Sequence, residues 1–110
     1  MDAENPCGGH PPGAGGGASG GGGPGRTVTI TNRRGLHARA AAKFVKLAAE
    51  FRAEVTVTRL DQTVCGQSIM GLMMLAAGQG TSIDIAASGD QADAALAALV
   101  DLVERKFDED

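Results

Sequence analysis

Neither tryptophan nor tyrosine occurs among the 110 residues, and phenylalanine occurs three times. Binding of single-stranded nucleic acid by base stacking therefore has little to work with, because its platforms are aromatic rings. Cysteine is nearly absent. Cys7 and Cys65 lie in unrelated contexts, suggest no disulfide framework, and read as free thiols. No stretch approaches the roughly 18 apolar residues of a membrane span. The N-terminus lacks the apolar core of a secretory signal. A cytoplasmic protein without membrane insertion is the expectation. Histidine occurs twice, as His10 and His37. Cys7 and His10 together do not close a zinc site, so neither metal nor cofactor is expected.

Proline is missing after residue 24, and 11 of the 17 glycines fall within the first 25 residues. That tract holds no large apolar side chain after Met1, so ordering it would cost backbone entropy with no burial to offset it. Its glycines have no three-residue period, which excludes collagen. Residues 1–25 are thus expected to be a disordered tail and residues 26–110 one small domain with a modest core.

The formal net charge of −3 hides an asymmetry. Residues 26–59 carry eight Lys/Arg against Glu50 and Glu54, whereas residues 60–110 carry Arg105 and Lys106 against nine carboxylates. A basic face suits nucleic acid or an acidic protein surface. With so few aromatics, the acidic protein is favoured. Lys43 and Lys46 also fit an ordinary solvated helix face.

Period-2 alternation marks strands at 27–32 (Val28 and Ile30 inward), 54–58 (Val55 and Val57 inward), 63–66 and 82–86, with a turn at 59–62. Helical spacing over 38–52 puts Ala40, Phe44, Leu47, Ala48 and Phe51 on one face and Arg39, Lys43, Lys46 and Glu50 on the other. A short helix follows at 68–77 behind Ser68 as N-cap. A last helix follows Asp90, also a good N-cap, with Ala92, Leu96, Leu99, Val100, Val103 and Phe107 in one stripe. The order β-α-β-β-α-β-α, with one apolar face per strand, predicts an α+β fold. It is an open-faced two-layer sandwich, a four-stranded, mainly antiparallel sheet with three helices on one face.

Chemistry concentrates in R-R-G-L-H-A-R-A-A-A-K-F-V, residues 33–45. A helix starting at Ala38 makes His37 its N-cap, beside backbone N–H groups without helical partners and the positive end of the dipole. That environment disfavours an imidazolium and leaves a ring nitrogen able to attack. The N–H groups of Ala38, Arg39 and Ala40 form an anion site beside the ring, and the Arg39 guanidinium can take two phosphate oxygens. A nucleophile next to an anion cradle suggests phosphoryl transfer through histidine. A lone histidine at a helix start is more often a cap than a nucleophile, so the residues alone leave the choice about even.

G-L-H-A-R at 35–39, followed by A-A-K-F-V, resembles the active-site motif of the HPr family. These are the histidine-containing phosphocarriers of the phosphoenolpyruvate-dependent phosphotransferase system. Q-S-I-M-G-L-M-M-L-A at 67–76 resembles the family's regulatory-serine segment, and G-T-S-I-D-I-A-A-S-G at 80–89 its last strand. The resemblance covers residues 27 to about 107 at the family's spacing, and implies the fold just described.

It also implies roles. His37 matches the histidine phosphorylated on Nδ1 by Enzyme I and discharged onto an EIIA protein. Arg39 matches the arginine attending that phosphate, and Ser68 the serine modified by HPr kinase/phosphorylase. Ile69, Met70 and Met73 match the partner-docking patch, and the family suggests a monomer. Three positions depart from the pattern: Ala40 where most members have proline, Gln67 where lysine is frequent, and Arg34 where some have asparagine. Branches that include nitrogen-regulatory ones tolerate a small residue at the position of Ala40. Carriage of phosphate without turnover of a substrate is therefore the expectation. The alternative is a regulatory interaction module reporting carbon or nitrogen state without sugar transport. A small enzyme using His37 as general base ranks last, for want of a second catalytic group.

Overall fold

The computed structural model describes residues 24–108; the Gly/Pro-rich tail up to residue 23 and the last two residues lie outside the description. Four strands, β1 (Gly25–Thr29), β2 (Glu54–Arg59), β3 (Gln62–Cys65) and β4 (Ser82–Ser88), form one sheet in the order β1-β4-β2-β3. Every neighbouring pair is antiparallel. The helices are α1 (Ala38–Ala48), α2 (Ile69–Met74) and α3 (Ala92–Glu104). No helix among the described residues is long and apolar enough to cross a membrane.

The alternating pattern does what it predicts. Val28, Val55, Val57, Ile83, Ile85 and Ala87 are buried on the covered face, and Thr27, Thr29, Ser82 and Asp84 are exposed on the other. α3 lies on β4, β1 and β2, and α1 packs on α2 and α3. Phe44, Leu72, Leu99 and Phe107 join these layers into one core. All residues of the expected α3 stripe are buried, together with Ala95 and Leu102.

Local departures have local causes. β1 opens at Gly25, where the sequence placed the end of the tail, because the Ala87 N–H reaches the Pro24 carbonyl at 3.0 Å. α1 stops at Ala48 rather than 52. Glu50 and Phe51 donate to carbonyls three residues back, which tightens the chain out of the helix. Asp90 does not cap α3; Gln91 stands at that position. The Gln91 side chain instead accepts from Arg52 N at 2.7 Å, and its N–H donates to Arg52 O at 3.0 Å, pinning the α1 exit to the α3 start.

Phe107 does not continue α3. It reaches the core through a turn in which Lys106, Phe107 and Asp108 all have positive φ, and Lys43 Nζ donates to its carbonyl at 2.7 Å. Lys43 is therefore half-buried and structural, not a freely solvated charge. Cys65 departs from the free thiol expected. It sits opposite Thr56, half-exposed on the uncovered sheet face, and is not a free thiol; Cys7 lies outside the described residues.

The segment between β1 and α1 is anchored to the segment before β4. Ile30 N donates to Thr81 O and Gly80 N to Ile30 O, both at 2.8 Å, and Leu36 N donates to Ala77 O at 2.9 Å. Gly35 lies between these anchors with φ +68, and a Cβ there would stand 2.6 Å from Ala77 O and 2.7 Å from Gly78 Cα. Only glycine accepts both the backbone conformation and the contact. Gly80 also has positive φ, at +89, but its Cβ position is open.

Gly35→Ala is therefore expected to lose more stability than Gly80→Ala, beyond the about 1–3 kcal/mol of backbone strain the two share. Paired urea titrations would show it, and equal losses would contradict the steric reading. Phe44→Ala empties a fully buried site and is expected to cost about 3–5 kcal/mol in the same assay.

Candidate functional site

His37 is the N-cap of α1, with extended backbone (φ −80, ψ −178), and its Nδ1 accepts from the Arg39 N–H at 3.2 Å. That bond requires a lone pair on Nδ1, so the ring is held with its δ nitrogen toward the helix and without a proton there. The helical ladder begins with Ala41 N donating to His37 O at 2.8 Å. The N–H groups of Ala38, Arg39 and Ala40 precede it and lie outside the ladder, that of Arg39 being the one bonded to His37 Nδ1. No acidic residue occupies the first turn of α1.

The Arg39 guanidinium is exposed and ion-paired with no described residue. Arg33 and Arg34, earlier in the same loop, are also exposed. Ala40 is fully buried in the first turn. A proline there would remove an N–H that the ladder does not use, and alanine keeps that donor.

Ser68 caps α2, its Oγ accepting from Gly71 N at 3.0 Å. Gly71 lets α2 sit close on β3: a Cβ there would lie 3.2 Å from Val64 Cβ. α2 is too short to bury its whole circumference. Leu72 and Leu75 face the core, while Met70 is 71% exposed, Met74 63%, Met73 44% and Ile69 40%. The apolar surface of α2 thus includes Met74 beside the three residues the motif suggested. Leu75 O, at the end of α2, accepts from Arg59 Nη1 at 3.1 Å. Two residues further on, Ala77 O holds the Leu36 N–H. α2 and the His37 loop are therefore one connected surface, with apolar and basic parts side by side.

Sequence reasoning passed over Asn32 and Arg59. Asn32 is fully buried; its Nδ2 donates to Gly35 O at 2.9 Å, and its O accepts from Gly35 N at 3.1 Å. The available signal was an asparagine three residues before a glycine, directly after a strand, which is a turn-forming arrangement. Arg59 gave no signal, since its carbonyl partner lies 16 residues away.

Residues 25–105 match the family described as PTS HPr component phosphorylation site. The chain is 51% identical over 87 residues to phosphocarrier protein HPr of Pseudomonas aeruginosa, spanning 78% of this chain and 97% of that one. It is 49% identical over 84 residues to phosphocarrier protein NPr of Shewanella violacea, spanning 76% and 92%. The crystal structure of HPr-C-His from Thermoanaerobacter tengcongensis superposes with a TM-score of 0.77 at 42% identity, covering 80% of this chain and 99% of that one. The chain therefore belongs to the HPr family of phosphotransferase-system phosphocarriers.

Proposed function

We propose that His37 Nδ1 receives a phosphoryl group from phospho-Enzyme I and passes it to an EIIA-type protein. The observation that carries this reading is the Nδ1 lone pair turned onto the α1 N-terminus. In an in-line displacement the lone pair attacks phosphorus, the donor's N–P bond breaks, and the donor nitrogen keeps that electron pair. The proton on His37 Nε2 stays in place. The Arg39 N–H, which Nδ1 now occupies, then turns to a phosphoryl oxygen. The N–H groups of Ala38 and Ala40 and the Arg39 guanidinium balance the remaining charge, so the gain comes from positioning and fixed dipoles. Discharge is the reverse attack by the next histidine. The protein turns over no substrate of its own and works in the cytoplasm as a monomer.

Ile69, Met70 and Met73 are the proposed docking patch for Enzyme I and EIIA. Flexible methionines suit a surface that must accept two partners, and the basic residues around His37 suit acidic faces on them. Ser68 is the proposed target of HPr kinase/phosphorylase. A phosphate there adds about two negative charges next to the patch. It leaves α2 intact, since the dipole favours an anion at a helix start.

A purely regulatory role is the second reading. The chain is also similar to Crh, the Bacillus subtilis catabolite repression HPr, at 37% identity over 72% of its length with a TM-score of 0.63. On that reading phosphorylation at His37 or Ser68 reports metabolic state and no sugar is moved.

Incubation with phosphoenolpyruvate and Enzyme I is expected to add one acid-labile phosphate to the intact mass, and none to His37→Ala. A folded wild-type protein that takes no phosphate would move the regulatory reading to first place. Ser68→Asp is expected to raise the KM for phosphorylation by Enzyme I about tenfold, equivalent to ~1.4 kcal/mol, without lowering the melting temperature. Wild-type kinetics in that variant would remove the regulatory assignment of Ser68.

A further inference from the structure

We infer that Asn32 is a positioning residue for phosphoryl transfer. It touches neither His37 nor the anion site, and acts through the one peptide that leads to them. It is a fully buried polar side chain in an otherwise apolar core. Its Nδ2 donates to Gly35 O at 2.9 Å while its own carbonyl accepts from Gly35 N at 3.1 Å, so the four-residue turn is closed from both sides by the same residue.

The consequence follows from peptide geometry. Gly35 O and Leu36 N belong to one planar peptide unit. Asn32 holds the oxygen end, and Ala77 O holds the nitrogen end at 2.9 Å. The plane cannot rotate without breaking one of these bonds. Gly35, at φ +68, has no side chain to resist such a rotation. Rotation about the two dihedrals flanking the plane, Gly35 ψ and Leu36 φ, is therefore resisted by Asn32 at the oxygen end and Ala77 at the nitrogen end, and Leu36 passes the orientation directly to His37. The aim of Nδ1 at Arg39 N is set by this clamp. A displacement of the ring by a fraction of an ångström breaks that aim and lowers the transfer rate without touching the docking surface.

This inference rests on His37 as the phosphoryl acceptor, and the assay separates the two. Wild type, Asn32→Ser (shorter, but still a donor) and Asn32→Ala are phosphorylated by Enzyme I and phosphoenolpyruvate. Their kcat and KM are compared, and the ¹⁵N shifts of the His37 ring are recorded in each. The expected result is folded variants with unchanged KM. Their kcat falls in the order wild type, Ser, Ala, by about tenfold at the end, with an Nδ1 shift that moves away from the wild-type value in the same order. Equal kcat and equal ring shifts in the folded variants would overturn the inference. So would unfolding of both, which would make Asn32 a stability residue. No label on the wild-type protein would instead refute the acceptor itself.

Discussion

The peptide between Gly35 and Leu36, bonded at its oxygen by Asn32 and at its nitrogen by Ala77, is the constraint on which the rest of the site depends. It joins the loop after β1 to the exit of α2. Those segments come from opposite ends of the sheet order in sequence, yet lie together because β1 pairs with β4. The left-handed Gly35 is what permits the approach. Once the plane is set, the N-cap conformation of His37 and the first turn of α1 follow, with the leading N–H groups left outside the helical ladder.

The second requirement is a surface that partners can find and leave. α2 supplies it by being short. Its inward residues, Leu72 and Leu75, use the core that α1 and β3 provide, and its remaining apolar side chains are left exposed. Burial of a methionine is worth roughly 1.5–3 kcal/mol, which a transient partner can recover only while bound. Arg59 and Gly71 fix the position of α2 from its two ends, through the Leu75 carbonyl and the close approach to Val64.

Much of this was legible beforehand. The strands were readable because each has one wet face, and α3 because its stripe recurs at helical spacing over thirteen residues. His37 and Ser68 were readable as caps because capping is a local property, decided within three residues. Some misplaced features were decided at a distance. The start of α3 is tied to the chain leaving α1 by the mutual bonds of Arg52 and Gln91, 39 residues apart. Phe107 leaves the helix because the Lys43 ammonium captures its carbonyl from 64 residues away.

Hydrophobic alternation, capping residues and the placement of glycines are written in the chain and act over one or two turns. They determined the element order, the open-faced architecture and the identity of the candidate site. Only the tertiary structure decided that Asn32 is buried against Gly35, that Arg59 ends α2, and which methionines remain uncovered. Each of these depends on which backbone carbonyl or side chain arrives from elsewhere in the fold. A buried polar group has to be paired with whatever the packing brings to it, and the chain order does not name that partner.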